Sequence, residues 1–279
     1  MDALRELQLG LLDVLKAFQN ICEEKGLTFF PIDGTLLGMV RHGGFIPWDD
    51  DVDIGMPRSD FEKLAKLLAE SLPDGMHYRY YKVMDDKAKD IQYGIRLYSN
   101  KVQTITNFYG KEEIEDINID IFPIDGMPKG KFRYNIHKAK LLTTKAITKL
   151  SQVSNIRTFM KRPPLERFLI QTGRAIRLDK LLNTKKWYGR MDKLLQKYPY
   201  DNAEVVGVFW SDYRFNEMVP KECYEPLTIQ KFEDITMPCP AEPRKILRQL
   251  YGDWQYPPKD GPKQKHPIEL FKPSTISGG

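Results

Sequence analysis

The sequence predicts an α+β fold: a mixed β-sheet with helices packed on it and a basic helical region set into the chain. Three observations carry this. Up to about residue 125 the order is helix, strand, turn, strand, helix, and then several strands in succession. From Lys129 to about Tyr198 the periodicity is helical, and no strand pattern interrupts it. Strand character then returns at Glu204–Trp210. A chain of 279 residues, 41% hydrophobic and 29% charged, can bury a substantial core. Breaks near Lys129-Gly130 and Pro199–Asn202 divide it into a core (1–128), a basic helical region (129–200) and a C-terminal part that completes the core (201–279).

Residues 2–25 carry Leu4, Leu7, Leu11, Leu15, Phe18 and Cys22 at spacings of three and four, an amphipathic helix, with Gly26 at its C-terminal cap. Leu27–Ile32 is a short β-like run leading into Asp33-Gly34, and Thr35–Arg41 is expected as a brief helix. Its first amides then point back at the turn, as an anion site would need. Arg41–Gly44 reads as a loop and Pro47-Trp48 as a rigid lead into the acidic stretch that follows. Ser59 and Glu62 have capping-box spacing at the start of a helix that runs to about Pro73. Strands are expected at Tyr78–Val83, Ile91–Tyr98, Val102–Phe108 and Ile117–Phe122. Helices follow at 131–153, 164–178 and 184–197; then come Met218–Pro220, a strand near Leu227–Phe232, a helix at Glu242–Tyr251 and a loop-like tail through His266.

The chemistry concentrates in Asp49-Asp50-Asp51-Val52-Asp53. In an extended strand Asp49, Asp51 and Asp53 project from one face. Carboxylates so close repel one another, and a hard divalent cation, Mg²⁺ or Mn²⁺, removes the repulsion. Asp120, between Ile119 and Ile121, is costly in a buried strand unless paired or metal-bound. Asp51, Asp53 and Asp120 are therefore the expected metal ligands and catalytic carboxylates, with a phosphate-bearing substrate. Arg41 suits phosphate bidentately, and His42 beside it is a weaker contact. Asp125-Gly126 reads as a plain turn.

Composition narrows the partners. Between Lys131 and Arg190 there are 16 Lys and Arg against Glu166 and Asp179, a net of +14 that leaves −9 for the rest of a chain whose total is +5. Such a region suits an anionic membrane surface or phosphate polymer. No nucleic-acid-binding motif is present. No apolar run reaches the roughly 18 residues of a membrane span, and Met1–Glu6 lacks the start of a signal peptide. Cys22, Cys223 and Cys239 are few and far apart. The expected setting is the cytoplasm, peripheral at the inner face of the membrane.

Asp33-Gly34-Thr35-Leu36-Leu37-Gly38, Arg41-His42-Gly43 and Ile46-Pro47-Trp48-Asp49-Asp50-Asp51-Val52-Asp53-Ile54 together resemble the LicD family, related to the fukutin proteins. Ile119-Asp120-Ile121-Phe122-Pro123 and Tyr251-Gly252-Asp253-Trp254 support the resemblance. It implies a nucleotidyltransferase-type core. Gly34 and Thr35 would lie against donor phosphates, with Gly38, Arg41, His42, Trp48 and Asp49 completing the substrate site. It also implies transfer of a phospho-alcohol, most often phosphocholine from CDP-choline, to a lipid-linked glycan precursor of teichoic-acid or lipopolysaccharide type. Ribitol phosphate and phosphoethanolamine are alternative cargoes. Nucleotidyl transfer and a non-enzymatic module binding anionic polymer are the competing readings. Asp49 and Asp50 exceed the family's usual carboxylate pair.

Overall fold

A run of apolar residues every three or four positions makes α1 (Ala3–Lys25) one-sided, and Leu7, Leu11, Leu15, Phe18 and Cys22 are buried. The computed structural model describes residues 3–80, 82, 93–108, 111–155, 164–210, 214–257 and 269–271. β1 (Phe30–Pro31) leads directly into α2 (Asp33–His42), which ends on Gly43 in the left-handed conformation (φ 68°). β2 (Asp53–Pro57) passes into α3 (Arg58–Glu70), and β3 (Met76–Tyr80), β4 (Ile95–Phe108) and β5 (Lys111–Gly126) follow.

The sheet runs β1-β2-β5-β4, with β3 antiparallel to β4. β2 and β5 are parallel, and Asp53 pairs with Asp120. β4 and β5 are antiparallel, and Arg96 stands opposite Asp120. The β-branched residues Ile54, Ile95, Ile119, Ile121 and Ile124 are buried at this centre.

The basic region forms α4 (Lys131–Leu150), α5 (Pro164–Ala175), the short α6 (Leu178–Leu181) and α7 (Thr184–Leu195), with α4 packed along α7. One buried network ties it to the sheet. Arg58, first residue of α3, donates to Asp125 at the end of β5, to Asp192 of α7 and to Tyr93 Oη. Tyr93 in turn donates to Asp192 at 2.8 Å. The chain then adds β6 (Val205–Gly207) beside β5, β7 (Val219–Pro220), the hairpin β8 (Thr228–Phe232) and β9 (Ile235–Cys239), and α8 (Pro243–Tyr251) against α2. β10 (Glu269–Phe271) pairs with β4. The three cysteines are free and buried. Among the described residues no helix is long and apolar enough to cross a membrane.

The α+β expectation holds, with local corrections. The two strands expected at Ile91–Tyr98 and Val102–Phe108 are one strand, its register shifting between Ser99 and Gln103; residues 91 and 92 lie outside the described set. The capping box is absent. α3 is capped by Pro57 with no side-chain bond, so Ser59 falls inside the first turn and Glu62 accepts from Arg58 and Lys82 instead. Arg41 and His42 belong to the last turn of α2, because the chain reverses at Gly43. Asp125 is a buried strand-end partner of Arg58. β9 and β10 were not anticipated. Of the segment Trp210–Phe215, residues 211–213 lie outside the described set, as does most of the tail between 258 and 268.

Candidate active site

The acidic stretch meets the start of α2. Residues 49–52 are not in a strand; β2 begins only at Asp53. The alternating-face geometry therefore does not arise, and carboxylates converge by a turn of the chain instead. Among the described residues, Asp49, Asp50 and Asp51 form the group whose ligand oxygens lie within 4.8 Å of one another. Asp53 follows at the strand edge, paired in register with Asp120. The backbone N–H of Asp120 donates to Val52 O at 2.9 Å. Asp51 lies close enough to Asp120 for its charge to oppose ionisation there.

Asp120 is held by an unanticipated partner. Arg96 Nε donates to Asp120 Oδ1 at 2.8 Å across the strand pair. Burial pushes the Asp120 pKa up, and the guanidinium only partly offsets this. The signal was available: Arg96 is the one charged residue between Gly94 and Tyr98, in a strand of buried apolar neighbours.

α2 supplies the other wall. Ile32 at its N-cap offers no capping side chain, and Asp33 enters it with φ 47°, a conformation Asp tolerates better than most residues. A helix start of this kind is where an anionic group binds. Gly34 is needed because a Cβ there would stand 2.9 Å from Asp49 Oδ2. Thr35 Oγ1 accepts from the Asp53 N–H at 2.8 Å, tying the helix start to β2. Gly38 admits the crossing loop: a Cβ there would sit 2.5 Å from Gly44 O and 3.1 Å from Ile46 N.

At the other end of α2, Arg41 donates from Nη1 to Trp254 O at 2.9 Å and from Nε to His42 Nε2 at 2.9 Å. Its guanidinium lies 5.9 Å from the Trp48 ring centre, and His42 meets Trp48 edge-on. Burial lowers the pKa of His42, and Arg41 adds to the effect. The C-terminal Trp254 is thereby joined to the N-terminal motif through α8.

Sequence reasoning missed the scaffold behind the loop. Gln8 Nε2, buried on α1, donates to Ile46 O at 3.2 Å and to Asp49 O at 3.0 Å. Arg5 bonds Gln8 and forms an ion pair of 2.6 Å with Glu233 in the β8–β9 turn. Glu233 accepts from Phe45 N at 3.0 Å. Gln8 interrupts the apolar row Leu4, Leu11, Leu15 at a buried position, the sign that could have exposed it.

Clustered carboxylates beside the start of α2 make up the candidate active site. Residues 26–138 match the family model described as LicD/FKTN/FKRP, nucleotidyltransferase domain. The chain thus carries a LicD-type domain over that stretch, which supports a phosphotransferase. It is 26% identical over 285 residues to the lipopolysaccharide cholinephosphotransferase LicD of Haemophilus influenzae, covering 96% of this chain and 97% of that protein. It is also 34% identical over 96 residues to the human ribitol 5-phosphate transferase FKRP, covering 33% of this chain and 18% of that protein.

Proposed function

We propose that the chain transfers phosphocholine from CDP-choline to a sugar hydroxyl of a lipid-linked, lipopolysaccharide- or teichoic-acid-type glycan precursor. The supporting observation is the carboxylate group Asp49, Asp50 and Asp51, which meets the first turn of α2 through Asp49, with Asp53 tied to Thr35 and paired in register with Asp120. The similarity to a cholinephosphotransferase over nearly the whole chain points to the cargo. The FKRP match favours ribitol phosphate as the second choice, since that protein's name gives it as a ribitol 5-phosphate transferase.

An all-oxygen carboxylate set fits Mg²⁺ or Mn²⁺. Asp51, Asp53 and Asp120 would hold it; Asp51 also lies in the group whose oxygens stand within 4.8 Å of one another, with Asp49 and Asp50, and Asp53 pairs in register with Asp120. Such an ion supplies neutralisation of pyrophosphate charge. The residues of the chain do the rest. The Gly34 and Thr35 amides and Arg41 would bind non-bridging oxygens as charge builds. The acceptor hydroxyl attacks the phosphorus bearing choline, in line with departing CMP. Its proton passes to one of the neighbouring carboxylates. A CDP-activated donor sets the reaction on the cytoplasmic side.

A thermal-shift screen of CDP-choline, CDP-ribitol and CDP-ethanolamine with Mg²⁺ tests the donor. CDP-choline should raise the melting temperature most, and Asp53→Asn should fold normally yet transfer almost nothing. An Asp53→Asn protein that stays active and metal-responsive would remove Asp53 from the site.

A further inference from the structure

α4 is turned inside out. Its buried face is His137, Leu141, Thr144 and Thr148, with only one aliphatic side chain among them. At 100° per residue, Phe132, Ile136 and Leu142 fall on the opposite side, and all three are exposed, Phe132 at 78%. Lys131 and Lys149 line one edge of that apolar stripe, and Arg133 and Lys140 the other, while Lys138 is turned onto the Phe215 ring at 4.6 Å. α5 repeats the pattern. Leu165 (71% exposed), Phe168 and Leu169 are exposed, while Ile170 is buried and a Cβ at Gly173 would stand 3.3 Å from Val153 and 3.7 Å from Leu150. Leu150 lies on the same side of α4 as Phe132, so the α4 stripe leads directly to α5. Eight of the twelve exposed large hydrophobic side chains among the described residues fall between Phe132 and Leu181, so exposed apolar surface is concentrated in this region of the chain.

We infer that the outer face of α4 and α5 is a membrane-docking surface that seats on anionic lipid. The occupant follows from the chemistry. Outward Phe and Leu need an apolar phase, and the flanking lysines and arginines need negative headgroups while their stems lie along that phase. A nucleic acid offers phosphates but no apolar phase. A second copy of this chain would bring one +14 segment against another, and like charge opposes that contact. The inference extends the functional proposal, since a lipid-linked acceptor is found at such a surface, but it does not depend on which alcohol is transferred.

The test is sedimentation of the full chain with vesicles, without nucleotide. The protein should pellet with phosphatidylcholine vesicles containing phosphatidylglycerol, and far less with pure phosphatidylcholine. High salt should weaken the binding. Phe132→Ser with Phe168→Ser should lower the partition coefficient by about tenfold or more, as should Lys131→Glu with Lys149→Glu. All four positions are exposed, so circular dichroism should show unchanged folding, and transfer to a detergent-solubilised acceptor should be unaffected. The inference is overturned if the protein ignores anionic vesicles. It is equally overturned if the serine variants bind as tightly as the parent, which indicates a simple polyanion site, or if the protein is a dimer that the serine variants convert to monomer. Because no donor is present, failure here leaves the transfer chemistry standing, and a failed donor screen leaves the docking surface standing.

Discussion

Gln8→Met asks whether the acidic loop owes its position to a residue on α1. The substitution nearly keeps volume but removes the amide that bonds Ile46 O at 3.2 Å, Asp49 O at 3.0 Å and Arg5 Nη1 at 3.1 Å. Each bond contributes about 1 kcal/mol net, and a buried carbonyl left without its donor costs about 1–3 kcal/mol. Some of that returns through local relaxation, so a loss of about 2–4 kcal/mol is expected. At about 2–4 °C per kcal/mol for a chain of this size, the melting temperature should drop by roughly 4–16 °C. Function should suffer separately. Freed from Gln8, the Asp49 backbone shifts the carboxylates that follow it, and displacement of about 1 Å costs on the order of 100-fold in rate. Transfer assayed well below the new melting temperature should therefore fall by about 10- to 100-fold although no acidic residue was changed. A Gln8→Met protein that melts with the parent, or that melts early but transfers at the parental rate, would refute this reasoning.

Two further predictions concern the frame of the molecule. Arg58→Met leaves the buried Asp125 and Asp192 without their guanidinium, and should cost about 3–5 kcal/mol in urea unfolding; a loss under about 1 kcal/mol contradicts the buried network. His137, on the inner face of α4, has its pKa pushed down to about 4, chiefly by burial and further by Lys197 and Lys140. The unfolded chain takes up this proton near the ordinary value of 6.5, the folded chain only near 4. Stability attributable to His137 is thus constant above about pH 6.5 and falls as the pH drops towards 4. Melting temperatures of His137→Gln should decline less steeply over that window than those of the parent, and parallel curves would contradict the assignment.

The strongly periodic parts of the chain were legible from sequence. α1, α7, α8 and the central strand of Asp120 all follow from apolar spacing, and the ordered Gly–Asp block marks the candidate site region. What escaped depends on distance along the chain. Period two placed Asp49, Asp51 and Asp53 on one strand face, yet residues 49–52 precede β2 and Gln8, 41 residues earlier, bonds the Asp49 carbonyl, a contact local spacing could not show. Arg96 meets Asp120 only because β4 doubles back on β5. Ser59 looked like a cap because the pattern is local, whereas α3 starts one residue earlier, where Arg58 reaches Asp125 and Asp192. The charge of the basic region was visible in composition. Its outward apolar face was not, because an amphipathic pattern does not say which side meets the protein.

Analysis of the products formed from CDP-choline, Mg²⁺ and a glycan acceptor tests the central claim most directly. Phosphocholine transfer predicts free CMP in step with an acceptor whose mass rises by one phosphocholine, and neither product with Asp53→Asn. Acceptor carrying CMP, or full turnover by Asp53→Asn, would contradict the account.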